Sequence, residues 1–149
     1  MERKTFVLDS SALMALIENE DGADRVESIL RVERVFLPFL ALLEVHYITR
    51  QERGQGEADH RYALLKQLPC EILWQLDEPT LLTASRFKAG HQMSLSDAII
   101  AAFAQRHSAV LVHKDPELDA LAGEVELEAL PYKEKRPGRS RPPRPDAAL

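Results

Sequence analysis

Two short apolar runs, each closed by an aspartate and each followed by a helix-forming stretch, constrain this chain most. The first is Thr5-Phe6-Val7-Leu8-Asp9, leading into Ser10-Ser11 and the run from Ala12 to Ile17. The second is Ala109 to Val112, then His113-Lys114-Asp115-Pro116 and a short helix over Glu117 to Ala122. A bounded apolar run of this length reads as a buried strand, and the longer run behind it as a helix. Ser10 or Ser11 is the expected N-cap of the first helix, since a hydroxyl satisfies an early helix N–H; Asp9 as a plain cap is the simpler alternative. Asp115 with Pro116 at the first helical position admits the same simple reading. A carboxylate at the carboxyl end of a buried strand also lies where open α/β sheets bind ligands.

Between these two units strands and helices alternate. Ala23 to Arg34 carries Val26, Ile29 and Leu30 on one helical face. Val35 to Leu37 is a short strand stopped by Pro38, and Phe39 to Arg53 a helix with Leu40, Leu43, Tyr47 and Ile48 on its apolar side. Glu44 lies beside that apolar side, where an unpaired acid is costly. Its alternatives are a surface i, i+4 contact or a capping box. Glu57 to Leu68 is a helix ended by Pro69, and Cys70 to Leu76 a strand that carries Trp74, read as a core or rim residue. Asp77 caps a helix that stops at Gly90. Ser96, as cap, and Asp97 then open a helix so rich in Ala and Ile that it must be buried. Asp97 sits in its first turn, where an anion complements the helix dipole. Val125 to Leu130 alternates apolar and acidic residues, as an edge strand with one wet face does. The pattern predicts an α/β fold with a mostly parallel central sheet of about five strands and helices on both faces.

At 149 residues the chain suits one domain with a full core. The apolar share of 45% and charged share of 29% are those of a soluble globular protein. A single cysteine, Cys70, excludes an internal disulfide and fits a reducing cytoplasm. The apolar stretch before Asp9 is too short for a signal peptide, and Val35 to Leu43, interrupted by Pro38, is too short to span a membrane. From Lys133 to Leu149, six Lys/Arg face two acids, whereas the remainder carries 13 basic and 22 acidic residues. Residues 1–132 therefore read as an acidic domain and 133–149 as a basic, Pro/Arg-rich flexible tail that cannot bury enough surface to fold. Deleting residues from Lys133 onward is expected to leave the melting temperature nearly unchanged; a large drop in a thermal melt would show that the tail packs on the body.

If the strands before Asp9 and Asp115 are neighbours, their acids meet at the switch point of the sheet, with Glu44 and Asp97 arriving from helix beginnings on the same side. Two unit charges about 5 Å apart repel by roughly 3 kcal/mol at an effective dielectric near 20. A divalent cation removes that cost. All-oxygen donors suit Mg²⁺ or Mn²⁺ better than zinc. The chemistry implied is hydrolysis of a phosphodiester by metal-activated water, with one metal or two.

Val7-Leu8-Asp9-Ser10-Ser11, Leu43-Glu44, Leu95 to Ala101 and Leu111-Val112-His113-Lys114-Asp115 together resemble the PIN domain family, and within it the VapC-like toxins. The resemblance runs from about Phe6 to Leu130. It implies a three-layer α/β/α fold and a Mg²⁺- or Mn²⁺-dependent endoribonuclease. It further implies the toxin of a toxin–antitoxin pair, with RNA as substrate, a cognate antitoxin as partner, and often a homodimer. Asp9, Glu44, Asp97 and Asp115 match the family's acidic set and would hold the metal. Asp119, one turn on, is a further candidate, and Ser11 matches a small polar residue beside the site. The family often has Thr or Ser where this chain has His113, which reads as a local hydrogen-bonding group rather than a metal ligand. The tail is not part of the family pattern. A PIN-fold module that binds RNA or protein without cleaving is the alternative, though such a module needs no set of mutually repelling acids. An aspartate-based phosphatase fits less well, since it expects an acid two residues after Asp9, where Ser11 stands.

Overall fold

The computed structural model describes residues 3–133. The tail expected over 133–149 lies, from Glu134 on, outside the described residues. Five strands form one sheet in the order β3-β2-β1-β4-β5, and every pairing is parallel. They are β1 (Thr5–Leu8), β2 (Arg34–Pro38), β3 (Glu71–Leu73), β4 (Val110–His113) and β5 (Leu127–Ala129). The helices that flank them are α1 (Ser10–Ile17), α2 (Ala23–Val32), α3 (Phe39–Arg53), α4 (Gln55–Leu65), α5 (Glu78–Gly90) and α6 (Leu95–Arg106), with a 3₁₀ helix at Pro116–Leu121. This is the expected three-layer α/β/α arrangement.

The apolar runs place the strands. Val7, Leu8, Leu111 and Val112 are wholly buried, as parallel strands covered on both faces must be. Burying a leucine of this kind contributes roughly 2 kcal/mol. The chain leaves β1 toward β2 and β3 on one side, then returns to lay β4 and β5 on the other. The switch point therefore falls between β1 and β4, which pair Phe6 with Val110, Val7 with Leu111 and Leu8 with Val112. The Asp9 N–H extends that ladder by donating to Val112 O at 3.0 Å.

Several local expectations shift. The strand expected over Cys70 to Leu76 shortens to Glu71–Leu73 at the sheet edge, leaving Trp74 54% exposed on the rim. The helix expected to start at Glu57 begins at Gln55. Asp9 itself caps α1, accepting from Ser11 N at 3.2 Å, so neither Ser10 nor Ser11 does. Ser94, not Ser96, caps α6, because the helix starts two residues earlier and Ser94 Oγ accepts from Asp97 N at 3.1 Å. Lys133, the last described residue, ion-pairs with Glu20 at 2.5 Å while half exposed, a contact of the kind that adds little stability. No helix among the described residues is long and apolar enough to cross a membrane.

Candidate metal centre

The carboxyl edge of the sheet opens into a cleft of about 480 Å³. Eight acids line it: Asp9, Glu18, Glu20, Glu44, Glu52, Asp97, Asp115 and Glu117. Asp9 arrives from the end of β1, Glu44 from the second turn of α3, Asp97 from the first turn of α6 and Asp115 from the loop after β4. Asp9 is 1% exposed and Asp97 6%. One carboxylate oxygen each from Asp9, Glu44 and Asp97 lies within 4.8 Å of the others. Asp97, Asp115 and Glu117 form a second group by the same measure. Asp97 is common to both.

Hydroxyls and backbone amides hold these acids in place. Ser11 Oγ–H donates to Asp9 Oδ2 and accepts the Lys114 N–H at 2.8 Å, so one serine joins the ends of β1 and β4. Ser96 Oγ–H donates to Glu44 Oε1, which is the task of the serine expected to cap α6. Asp115 Oδ1 accepts the Glu117 N–H at 3.0 Å, and its own N–H donates to His113 Nδ1 at 3.1 Å. His113 is thus the local hydrogen-bonding group its position suggests.

The electrostatics are compatible with a bound cation. Burial, and then the charges of Asp9, Asp115 and Glu44, push the Asp97 carboxyl up to about 9. Burial also raises Asp9, against the lowering effect of its Ser11 hydrogen bonds. Asp9 Oδ1 is buried with no hydrogen-bond partner. A buried carboxylate oxygen left unpaired is costly, and a bound cation removes the cost. The donors are hard oxygens throughout, as Mg²⁺ or Mn²⁺ requires. The residues present therefore fit a divalent ion.

Asp119 stands apart from both groups. Its carboxylate accepts the Tyr132 hydroxyl, 2.9 Å from each oxygen, and is 56% exposed. The Tyr132 hydroxyl is pushed up to about 12 by burial and by that contact. The cause is helix type. Asp115 itself is extended and the segment after it winds as 3₁₀, so the α-helical count of four residues does not carry Asp119 back beside it. Glu117 takes the place expected of Asp119. Its signal in the sequence is the Asp115-Pro116-Glu117 turn, in which the aspartate caps the second residue onward.

A family model described as the PIN domain matches residues 6–124. No curated protein matches the chain by sequence. Among solved structures, a chain of VapBC2 from Rickettsia felis, bound to a DNA fragment from their promoter, aligns with a TM-score of 0.71 and 13% identity. That alignment covers 85% of this chain and 99% of that one. VapBC-1 from nontypeable Haemophilus influenzae gives 0.66 at 19% identity, over 84% and 97% of the two chains. VapC20 of Mycobacterium tuberculosis, a sarcin-ricin loop cleaving toxin, gives 0.65 at 16% identity, over 81% and 97%. At these identities the likeness is one of fold.

Proposed function

The chain belongs to the PIN domain family, and from that premise we propose that it is a metal-dependent endoribonuclease, the toxin of a toxin–antitoxin pair. The observation that carries this reading is the unpaired, buried Asp9 Oδ1 inside a cluster of acids that cannot all ionise without a cation. Asp9, Glu44 and Asp97 would hold one Mg²⁺ or Mn²⁺, and Asp115 with Glu117 would complete the cleft on the Asp97 side. The ion supplies Lewis-acid activation of water and neutralises charge on the phosphodiester.

The chain's own residues prepare for that chemistry. Ser11 and Ser96 each commit a hydroxyl proton to one oxygen of Asp9 and of Glu44. This fixes both carboxylates and leaves Asp9 Oδ1 without a hydrogen-bond partner. The Lys114 side chain is engaged with Asp21 O at 3.0 Å, and Lys133 with Glu20. Both cations at the rim are thereby tied to the protein. A polyanion entering a cleft lined by eight acids meets repulsion until the charge is offset. A cation held by Asp9, Glu44 and Asp97 would offset that charge.

A cognate antitoxin is the partner we assign, since the structural neighbours include VapBC complexes, and a second copy of the chain is assigned from the family resemblance alone. Leu43, Trp74, Leu82 and Leu95 are each more than half exposed and give protein partners apolar surface to cover. We place the protein in the cytoplasm, in keeping with its single free cysteine.

Purified protein, freed of any co-purifying partner, is expected to cut RNA with Mg²⁺ or Mn²⁺ and to stop on addition of EDTA. Electrophoresis of a mixed RNA substrate reads this directly. Folded protein that cuts nothing but still binds Mn²⁺ would move the reading to a non-catalytic binding module.

A further inference from the structure

His113 is wholly buried at the end of β4, and the proposed chemistry gives it no task. Its ring Nδ1 accepts the Asp115 N–H at 3.1 Å. With Nδ1 accepting, the neutral ring carries its proton on Nε2. That Nε2 has no hydrogen-bond partner, and its nearest carboxylate oxygen, Asp119 Oδ1, is 3.8 Å away, beyond hydrogen-bond range. A buried N–H without a partner is a cost that an apolar side chain in the same space would not carry. Filling the core therefore does not explain a histidine here. The Nδ1 contact does, because it is what the ring supplies and a leucine would not.

The backbone it holds is the one that aims Asp115. Asp115 sits at φ −121° and ψ 111°, and in that extended form its carboxylate joins Asp97 and Glu117. The preceding amide, Lys114 N–H, is held by Ser11. Two consecutive amides after β4 are thus tied to side chains on either hand, one through Ser11 to Asp9 and the other through His113. We propose that His113 is a positioning residue that fixes Asp115 for metal binding through its Nδ1. This rests on the metal-centre reading above.

Three variants of the full chain separate this role from packing. In His113→Asn a carbonyl oxygen can take the place of Nδ1. In His113→Gln the polar end reaches toward the place of Nε2 instead. His113→Leu has no acceptor at all. Mn²⁺ affinity by calorimetry, amide exchange at Asp115 by NMR, and thermal melts are read together. Gln and Leu are expected to weaken Mn²⁺ binding by roughly 10- to 100-fold and to speed Asp115 exchange, with Asn within about threefold of wild type. Asn binding as weakly as Gln at an equal melting temperature would overturn the proposal, as would folded Leu protein binding like wild type. Should Leu fail to fold, the Asn and Gln pair decides alone. A wild-type chain that binds no Mn²⁺ would overturn the metal reading and this proposal with it. Wild-type binding matched by all three variants would overturn the proposal only.

Discussion

Asp9→Asn protein is expected to cut RNA at least ~10³-fold more slowly than wild type, corresponding to about 4 kcal/mol of lost transition-state stabilisation. The fold should survive the change. Asparagine caps a helix about as well as aspartate, so α1 keeps its start. The substitution also removes the charge of a carboxylate that burial already disfavours. What is lost is the anionic oxygen left free for the cation, Oδ1. Initial rates with saturating Mg²⁺ and Mn²⁺, beside melts in EDTA, check both halves. Full activity in the variant would remove Asp9 from the mechanism.

Asp97→Asn is expected to do two opposite things: abolish metal-dependent cutting and stabilise the metal-free protein. The folded Asp97 carboxyl titrates near 9, far above its value of 3.8 when unfolded. The folded state therefore holds a proton that the unfolded state releases. Between about pH 4 and pH 9 the contribution of this group to stability falls as pH rises, and below pH 4 the penalty vanishes. Near pH 8, well above 3.8 and still below 9, the penalty is on the order of 6 kcal/mol, and asparagine, which imitates the neutral acid, escapes it. In EDTA at that pH the variant should melt on the order of 20 °C above wild type. Mn²⁺ should raise the melting point of wild type and leave the variant where it was. Melts from pH 4 to 9 with and without Mn²⁺ give the result. A flat profile for metal-free wild type, or a variant that melts lower, would show that Asp97 ionises freely in the fold.

The residues that proved legible are those whose position follows from period alone. Asp9 and Asp115 close apolar runs, and such runs declare themselves as buried strands whatever surrounds them. Glu44 betrayed itself as a charge beside an apolar helical seam, and the α6 sequence left no face for water. That β1 and β4 are neighbours does not follow from the local sequence, because strand order is a property of the whole chain; the sheet order places them side by side. Choices among equivalent chemistries were less visible. Ser94 and Ser96 are both good caps, and what separates them is that Ser96 has Glu44 to bind, from an element 52 residues away. Glu117 and Asp119 are both acids behind Asp115, and a six-residue segment says little about whether it winds as α or 3₁₀. His113 offered a hydrogen bond locally, but its burial and its unpaired Nε2 depend on how Tyr132 and β5 close over it.

The Ser11 bridge has a consequence for how the protein is made. Its two ends, Asp9 and the Lys114 amide, are joined by a contact between residues 103 apart in the chain. β1 is synthesised early and its central neighbour β4 late, so the sheet cannot close until nearly all of the domain has left the ribosome. Pairing of this range is slow, since a long loop must be ordered before any contact rewards it. A nascent or truncated chain ending before Val110 lacks β4, Asp115 and the serine's partner together. The cleft is therefore absent from such fragments, and the cell that makes this chain meets a finished site only once β4 and the acids behind it have been made.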